Sequence, residues 1–493
     1  MLDLDRWSQK TAGVLAWSWA AVPALLVAIG LALAVALLPL SWAALLVVGG
    51  IAVLATLVHP PLGVLIIVPT IPFGSLRQVQ VGVMNVGATE ALVVLVLAAW
   101  LMRMIVQREI RIRWPPLALP LAILLGVLIL SSLGATSLQH SAKEVFKWLE
   151  VFALYVMVAN EMDGRWIRAL VFVVLGTGAL VALQGIYQFW FQVGPEEFVL
   201  FGRFMRAYGT FEQPNPYAGY LGLTLPLAVG LIAAGVVPVG DRIPGRWIVW
   251  AGGSGVLMLA ALIMSWSRGA WLGFAAAVAA MFLAVVARSG RAAVLAVVFA
   301  VLIVYLFLAG GLALVPPSIA QRFSDFLPYV GVGDVRGVEI TDANFAVLER
   351  MAHWQSALDM WRDRPWLGVG IGNYEPVYAR YALPLWPYAL GHAHNYYLNM
   401  AAEAGVLGLM AYLVLWGAAL VGAWRAARRS SGWYWGIALG VLGVLVHLTV
   451  HSFFDNLYVH GMYLLVAILL GIQTVQTAKG PHERVEATSP LDA

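Results

Sequence analysis

Titratable residues stand at the mouth of a long apolar run in Gly391-His392-Ala393-His394-Asn395-Tyr396-Tyr397-Leu398, which continues to Gly405-Val406-Leu407-Gly408. A histidine held where a water-facing loop enters a membrane helix can still exchange protons, so His394 is a candidate proton acceptor. Read as one continuous helix, His394, Leu398, Ala401, Gly405 and Gly408 share a stripe, because eleven residues make about three turns. Below the histidine that stripe is small apart from Leu398, which lets a second helix approach closely. The competing reading is that His394 only caps an interfacial helix.

Three arginines are the cations best matched to an anionic substrate. Arg268 sits in Met264-Ser265-Trp266-Ser267-Arg268-Gly269-Ala270-Trp271, a tight turn between two apolar runs. Ser265 or Ser267 can cap the second helix there, and a guanidinium beside a helix N-terminus suits phosphate. Arg206 precedes a turn-rich loop ending in Gln213-Pro214-Asn215-Pro216, where Pro opens the next helix and Asn215 could be its N-cap. Arg203 lies just upstream. The competing role for each arginine is snorkelling to lipid phosphates.

Other ionisable groups carry less. Glu403 lies within a span on the face opposite the His394 stripe, and reads as a structural carboxylate. His392 is a plausible second titrating group. His447, His451, Asp455 and His460 crowd the last outer turn, but their spacing fits no metal motif. No metal site and no cofactor are expected.

These residues need a membrane scaffold. The 493-residue chain is 62% hydrophobic and 11% charged, whereas soluble domains carry about 25% charged residues. Apolar runs long enough to cross a bilayer recur along its length, which defines an all-α, polytopic transmembrane helical bundle. Alternating barrel segments are absent from the pattern. The absence of cysteine excludes disulfides and thiolate metal sites. The net charge of +4 reflects arginines in short loops, which bear on topology rather than on nucleic acid.

About 12–14 spans are expected, near 15–38, 41–58, 61–73, 87–105, 115–133, 144–160, 166–191, 214–236, 245–265, 268–287, 292–314, 396–423, 434–452 and 456–476. The first reads as a retained helix rather than a signal peptide. The third is short and contains Pro69 and Pro72, so it either spans or re-enters. Four units follow: N-terminal spans over 1–314, one large loop over 315–395, C-terminal spans over 396–476, and a disordered tail over 477–493. Within the large loop, Thr341 to Arg362 forms an amphipathic helix with Phe345, Leu348, Trp354, Leu358 and Trp361 as its apolar stripe. Pro365 ends it. The glycine-rich Gly368-Val369-Gly370-Ile371-Gly372-Asn373-Tyr374 follows without the strand and helix of a nucleotide fingerprint. The loop is expected to cap the membrane domain.

Arg103, Arg108, Arg111 and Arg113 occupy one loop, and Arg165 with Arg168, Arg242 with Arg246, Arg288 with Arg291, and Arg425, Arg428 and Arg429 continue the alternation. The positive-inside rule assigns that side to the cytoplasm. Arg203, Arg206, Arg268, the large loop and His394 then face outward, near one surface rather than at the midplane where transporters bind.

The pattern His394-Asn395, nine residues, then Gly405-x-x-Gly408 resembles the O-antigen ligase and polymerase superfamily of bacterial envelope enzymes. Ser267-Arg268-Gly269-Ala270-x-x-Gly273, Gly209-Thr210-Phe211 with Pro214-Asn215-Pro216, and His451-x-x-x-Asp455-Asn456 resemble further motifs of it. So do Glu403 and the series Arg350, Trp354, Asp363-x-Pro365, Gly368-x-Gly370-x-Gly372-Asn373. The resemblance covers the C-terminal three-fifths of the chain. It implies a fold of the GT-C type and a metal-independent transfer of a glycan from an undecaprenyl-diphosphate carrier to an acceptor such as lipid A-core. It also implies a bacterial inner-membrane location with the site facing the periplasm. His394, Arg268 and Arg206 would carry the chemistry, with Arg203, Asn215 and Asn395 binding substrate beside them. A repeat-unit polymerase or a protein O-oligosaccharyltransferase fits the same motifs, and a membrane transporter is the alternative of another class.

Overall fold

The computed structural model describes residues 37–74, 78–81, 84–200, 202–288, 334–341 and 344–478. Its helices are α1 (Leu40–Val58), α2 (Pro60–Gly74), α3 (Ala88–Val106), α4 (Ala118–Ser132), α5 (Leu138–Glu161), α6 (Gly164–Phe191), α7 (Pro214–Val236), α8 (Gly245–Met264) and α9 (Arg268–Val286). The second part of the chain gives α10 (Phe345–Asp363), α11 (Tyr396–Arg429), α12 (Gly432–His451) and α13 (Met462–Ala478). Two small antiparallel hairpins, β1 (Gln78–Val81) with β2 (Met84–Gly87) and β3 (Val199–Leu200) with β4 (Phe204–Met205), complete it.

Among the described residues, seven helices are long and apolar enough to cross a membrane: α3, α6, α7, α8, α9, α11 and α12. A helix satisfies its own backbone, which is why apolar runs of this length fold so in lipid. Apolar helices α2, α4 and α13 are shorter, as is the apolar stretch Trp42–Val58 of α1. The expected segment 144–160 lies within α5, which carries Lys143, Glu144, Lys147 and Glu150 and is not among the seven. The expected spans 15–38, apart from its last two residues, and 292–314 fall outside the described residues, as does the tail beyond Ala478. The last helix starts at Met462 rather than near 456, because 452–461 forms a turn-rich connection.

Helices α7 and α12 form the buried centre. They touch backbone to backbone: a Cβ on Gly230 would lie 2.2 Å from Gly436 O and 2.7 Å from Gly440 N. Small residues permit that approach in membranes. The basic loops gather at one end of the bundle. Arg288 donates to Ala427 O and Ser430 O at 2.9 and 2.7 Å, Gly432 N to Val239 O, and Arg103 pairs with Glu161 at 3.5 Å.

The other end carries a cap built on α10. Its buried face is Leu348, Ala352, His353, Ser356, Ala357 and Met360, which keeps only Leu348 of the expected stripe. Phe345 is exposed, and Trp354, Leu358 and Trp361 are only half-buried. Small and polar groups face inward because α10 packs closely over the start of α11.

Helix α11 is not continuous. Gly405 has φ 66° and ψ −166°, so the helix breaks there into 396–404 and 406–429. The glycine-rich loop after α10 enters the break. Val369 N and Gly370 N donate to Ala402 O and Glu403 O at 2.9 and 3.0 Å, while Val406 N and Leu407 N donate to Pro365 O and Trp366 O. These four backbone groups, freed by the break, thereby regain partners. The Ser131 hydroxyl lies 2.9 Å from Leu367 O and 2.8 Å from Glu403 O, and accepts from Ile371 N at 3.0 Å. Gly368, Gly370 and Gly372 all have positive φ. A Cβ on Gly368 would meet Ala402 O at 2.4 Å.

Candidate functional site

Asn395 caps α11, its Oδ1 accepting from Tyr397 N and Leu398 N at 3.0 and 3.1 Å. An N-cap carbonyl oxygen used this way satisfies donors that the first helical turn leaves free. His394 therefore precedes the helix, with φ 52°, and does not continue a stripe to Gly405 and Gly408. Two hydrogen bonds flank its turn: Ala393 N donates to the Asn399 side-chain Oδ1 at 3.1 Å and Tyr396 N to Ser452 O at 2.8 Å. The second ties the start of α11 to the end of α12.

That tie brings Asp455 to the histidines. Its Oδ1 lies 3.7 Å from His394 Nδ1 and 3.8 Å from His392 Nε2. These are ion-pair rather than hydrogen-bond distances, and neither ring nitrogen of His394 has a hydrogen-bond partner. His394 is enclosed by two more imidazoles, with the His392 ring 4.5 Å away and His353 of the cap 5.6 Å away. His353 Nδ1 in turn bonds Tyr374 Oη at 2.9 Å.

The electrostatics separate these groups. Burial, with repulsion from His394, pushes His392 down to about 3. Burial, again with His394, pushes His353 down to about 4. Burial alone would raise Asp455, but the adjacent His394 and the charges of His392 and His451 outweigh it and hold the carboxyl below its usual range. At neutral pH the cluster thus has one fixed carboxylate and two fixed neutral rings around His394.

The arginine motifs meet at the same end. Arg206 Nε donates to Ser265 O and its Nη2 to Asn215 Oδ1, both at 2.9 Å. Asn215 is not the N-cap of α7, a place taken by Gln213; it supports Arg206 instead. Arg268 is the first residue of α9, behind Ser267, whose side chain makes no cap bond. Ser265 Oγ accepts from Ser267 N at 3.2 Å, so Ser265 shapes the turn, and the expected serine cap does not form. The next residue, Gly269, packs on the last helical turn before Asp455. A Cβ there would lie 2.8 Å from Phe454 Cβ and 3.0 Å from the His451 ring. Arg203 is exposed, with its guanidinium 5.2 Å from the Phe204 ring.

The expected crowd of His447, His451, Asp455 and His460 divides. His451 Nδ1 faces His447 Nε2 at 3.3 Å, His460 packs edge-on against Phe211, and Asp455 joins His392 and His394. Those three offer ligand atoms all within 4.8 Å of one another, the one such group among the described residues. Their donor chemistry suits zinc, and both the Asp455 carboxylate and the Arg350 guanidinium lie within electrostatic reach of His392 and His451. Glu403 keeps a structural role: its Oε1 accepts from Tyr374 N at 2.9 Å and locks the cap loop to α11.

Sequence reasoning passed over His353 and Glu349 as site residues and took Arg350 only as part of a motif series. Their signal was helical spacing, since residues three and four apart share a face.

Fold and site together define a polytopic helical membrane protein with an ionisable cluster beneath a cap at one end. Residues 253–413 match the family model described as O-antigen ligase, from α8 through the cap and past the break in α11. That match supports membership of the O-antigen ligase superfamily. No curated protein matches the chain.

Proposed function

We propose that this chain transfers a glycan from an undecaprenyl-diphosphate carrier to an envelope acceptor such as lipid A-core. The observation that carries the reading is His394, with two buried, unpartnered ring nitrogens beside Asp455, at the end of the bundle where Arg206 and Arg268 lie. Asp455 faces Nδ1 and favours the tautomer with its proton there, which leaves Nε2 as the base. The acceptor hydroxyl loses its proton to Nε2 as its oxygen bonds to the anomeric carbon. The bond from that carbon to the carrier phosphate breaks, and its electron pair leaves with the diphosphate. Arg206 and Arg268 stabilise the negative charge that develops. The second role requires no metal, and Asn215 holds the fork of Arg206 in place. Arg203 and Asn395 flank the site as further substrate contacts.

The positive-inside rule puts the basic end in the cytoplasm, so the site opens to the periplasmic face of a bacterial inner membrane. A protein or polysaccharide acceptor in place of lipid A-core would use the same chemistry. One observation favours a transporter instead: α11 is broken, as substrate-binding transporter helices are. Here the cap loop fills the break with hydrogen bonds, which supports the transferase.

The test is transfer from a lipid-diphosphate glycan in proteoliposomes, with and without a strong chelator. Transfer at an unchanged rate in chelator is expected. Recovery only on adding one divalent ion would transfer the role of the arginines to a metal at His392, His394 and Asp455.

A further inference from the structure

The loop that presents Arg206 is shaped by a side chain that the mechanism above leaves unused. Gln188 stands near the C-terminal end of α6 and is 6% exposed, and a buried amide is unfavourable unless its hydrogen bonds are made. Its Oε1 accepts from Tyr208 N at 3.2 Å and from Gly209 N at 2.7 Å, and its Nε2 donates to Gly209 O at 2.9 Å. Among the described residues those three backbone groups have no other hydrogen-bond partner. The contact fixes which way the amide points, because a flipped amide would set its NH2 against two N–H donors. One side chain thus does for the loop what a neighbouring strand would do.

The turn at Gly209 is tight, with φ 57°, and a Cβ there would lie 2.5 Å from the Tyr217 ring. The arginine itself closes the loop, since Arg206 Nη2 bonds Asn215 Oδ1 nine positions along the chain. Ala207 N bonds Met264 O at 3.0 Å and so ties the near end to α8. The backbone of Arg206 is thereby at one end of the loop and its fork at the other, while Gln188 holds the peptide groups between them. Releasing those groups lets the loop open and the fork turn, although the guanidinium keeps its charge. We propose that Gln188 is a positioning residue for Arg206, fixing the loop so that the guanidinium already faces the charge that develops on the leaving diphosphate. This rests on the transferase reading and adds to it a residue of α6, a helix that lends the site no charge. A fork set in advance needs no reordering during the reaction, so the effect belongs to the donor side.

The experiment is a double-mutant cycle on the full chain in proteoliposomes, with a lipid-diphosphate glycan as donor and lipid A-core as acceptor. Gln188→Met keeps the length of the side chain and removes all three hydrogen bonds. It should lower kcat/KM for the donor roughly tenfold or more, as a misplaced group does, and leave the KM for the acceptor unchanged. In an Arg206→Gln background the same substitution should cost less than about twofold, because residues that act through one another are not additive. A merely structural glutamine would cost the same factor in both backgrounds, and that result would overturn the assignment. So would full transfer by a Gln188→Met variant whose thermal melt shows it folded. Gln188→Asn keeps the amide but leaves it one methylene short of the loop, and it should show the same pattern at smaller amplitude. The cycle is read from that variant if Gln188→Met does not fold. An Arg206→Gln variant that transfers at the wild-type rate would instead sink the transferase role of that arginine, and Gln188 would have nothing to position.

Discussion

Asp455 reaches the ring of His394 at 3.7 Å although both α11 and α12 lie between them in the chain. The carboxylate is ionised and the neighbouring imidazoles are held neutral, so the pair acts as one unit. Replacing His394 by Ala should lower the turnover rate roughly 100-fold to 10,000-fold, the span typical of general base catalysis. Carrier binding should persist. Asp455→Asn keeps the shape and removes the charge, so it should lower the turnover rate in the same assay with little change in KM. Full transfer by either variant would return His394 to the role of a helix entry residue.

Stability should fall with acid over a defined window. An unfolded histidine titrates near 6.5, whereas folded His353 is lowered to about 4 and His392 to about 3. Between those values the unfolded chain binds more protons, so stability is fully present above about pH 6.5 and declines as pH falls. His353 alone accounts for on the order of 2 kcal/mol between pH 7 and 5. Asp455 differs in type, being a depressed acid, and its contribution is lost only below the ordinary carboxylate range. Thermal unfolding at pH 7.5 and 5.0 should show the decline, and His353→Gln should flatten it. A melting point that does not move with pH would contradict the buried neutral rings.

The break in α11 predicts unequal glycines. Gly405 holds a positive φ, and a Cβ there would meet Trp366 C and O at 2.2 and 2.3 Å. Gly405→Ala should lose at least roughly 1–3 kcal/mol from backbone strain alone, and the clash adds to it. Gly417, on the same helix, has open space around it, with nothing within 4 Å of where a Cβ would stand, so Gly417→Ala should be tolerated. Melting points of the two variants side by side decide it, and equal values would mean that the break is not needed.

Sidedness can be read chemically because the chain has no cysteine. Single cysteines at the exposed positions Glu212 and Glu375 should react with an impermeant thiol reagent in intact spheroplasts, whereas one at exposed Arg429 should react only after permeabilisation. The reverse pattern would turn the site toward the cytoplasm.

Much of this was legible beforehand, for identifiable reasons. Long apolar runs fix helices whatever surrounds them, and the spacing of basic loops anticipated their gathering at one end. The break at Gly405 was not legible. In a stripe with Ala401 and Gly408 it reads as a point of close helix approach, and only the loop from Pro365 to Gly372 explains its positive φ. The pairing of Asp455 with His392 and His394 depends on Tyr396 N bonding Ser452 O, a contact that no local pattern announces. The stripe on α10 misled because a cap lying on helices buries small residues and leaves large ones at its edges.

The stitched break also says where this protein can be cut. By chain tracing, cap and membrane span meet at Asn395, but residues 396–404 share their hydrogen bonds with 365–372 and with Ser452. A chimaera that takes the cap of a relative and joins it at Asn395 would sever those bonds and mix two parents inside one interlocked unit. Joined beyond Leu407, the graft carries its own seam, and the host supplies only an ordinary run of helix. The natural border of the cap lies inside the span.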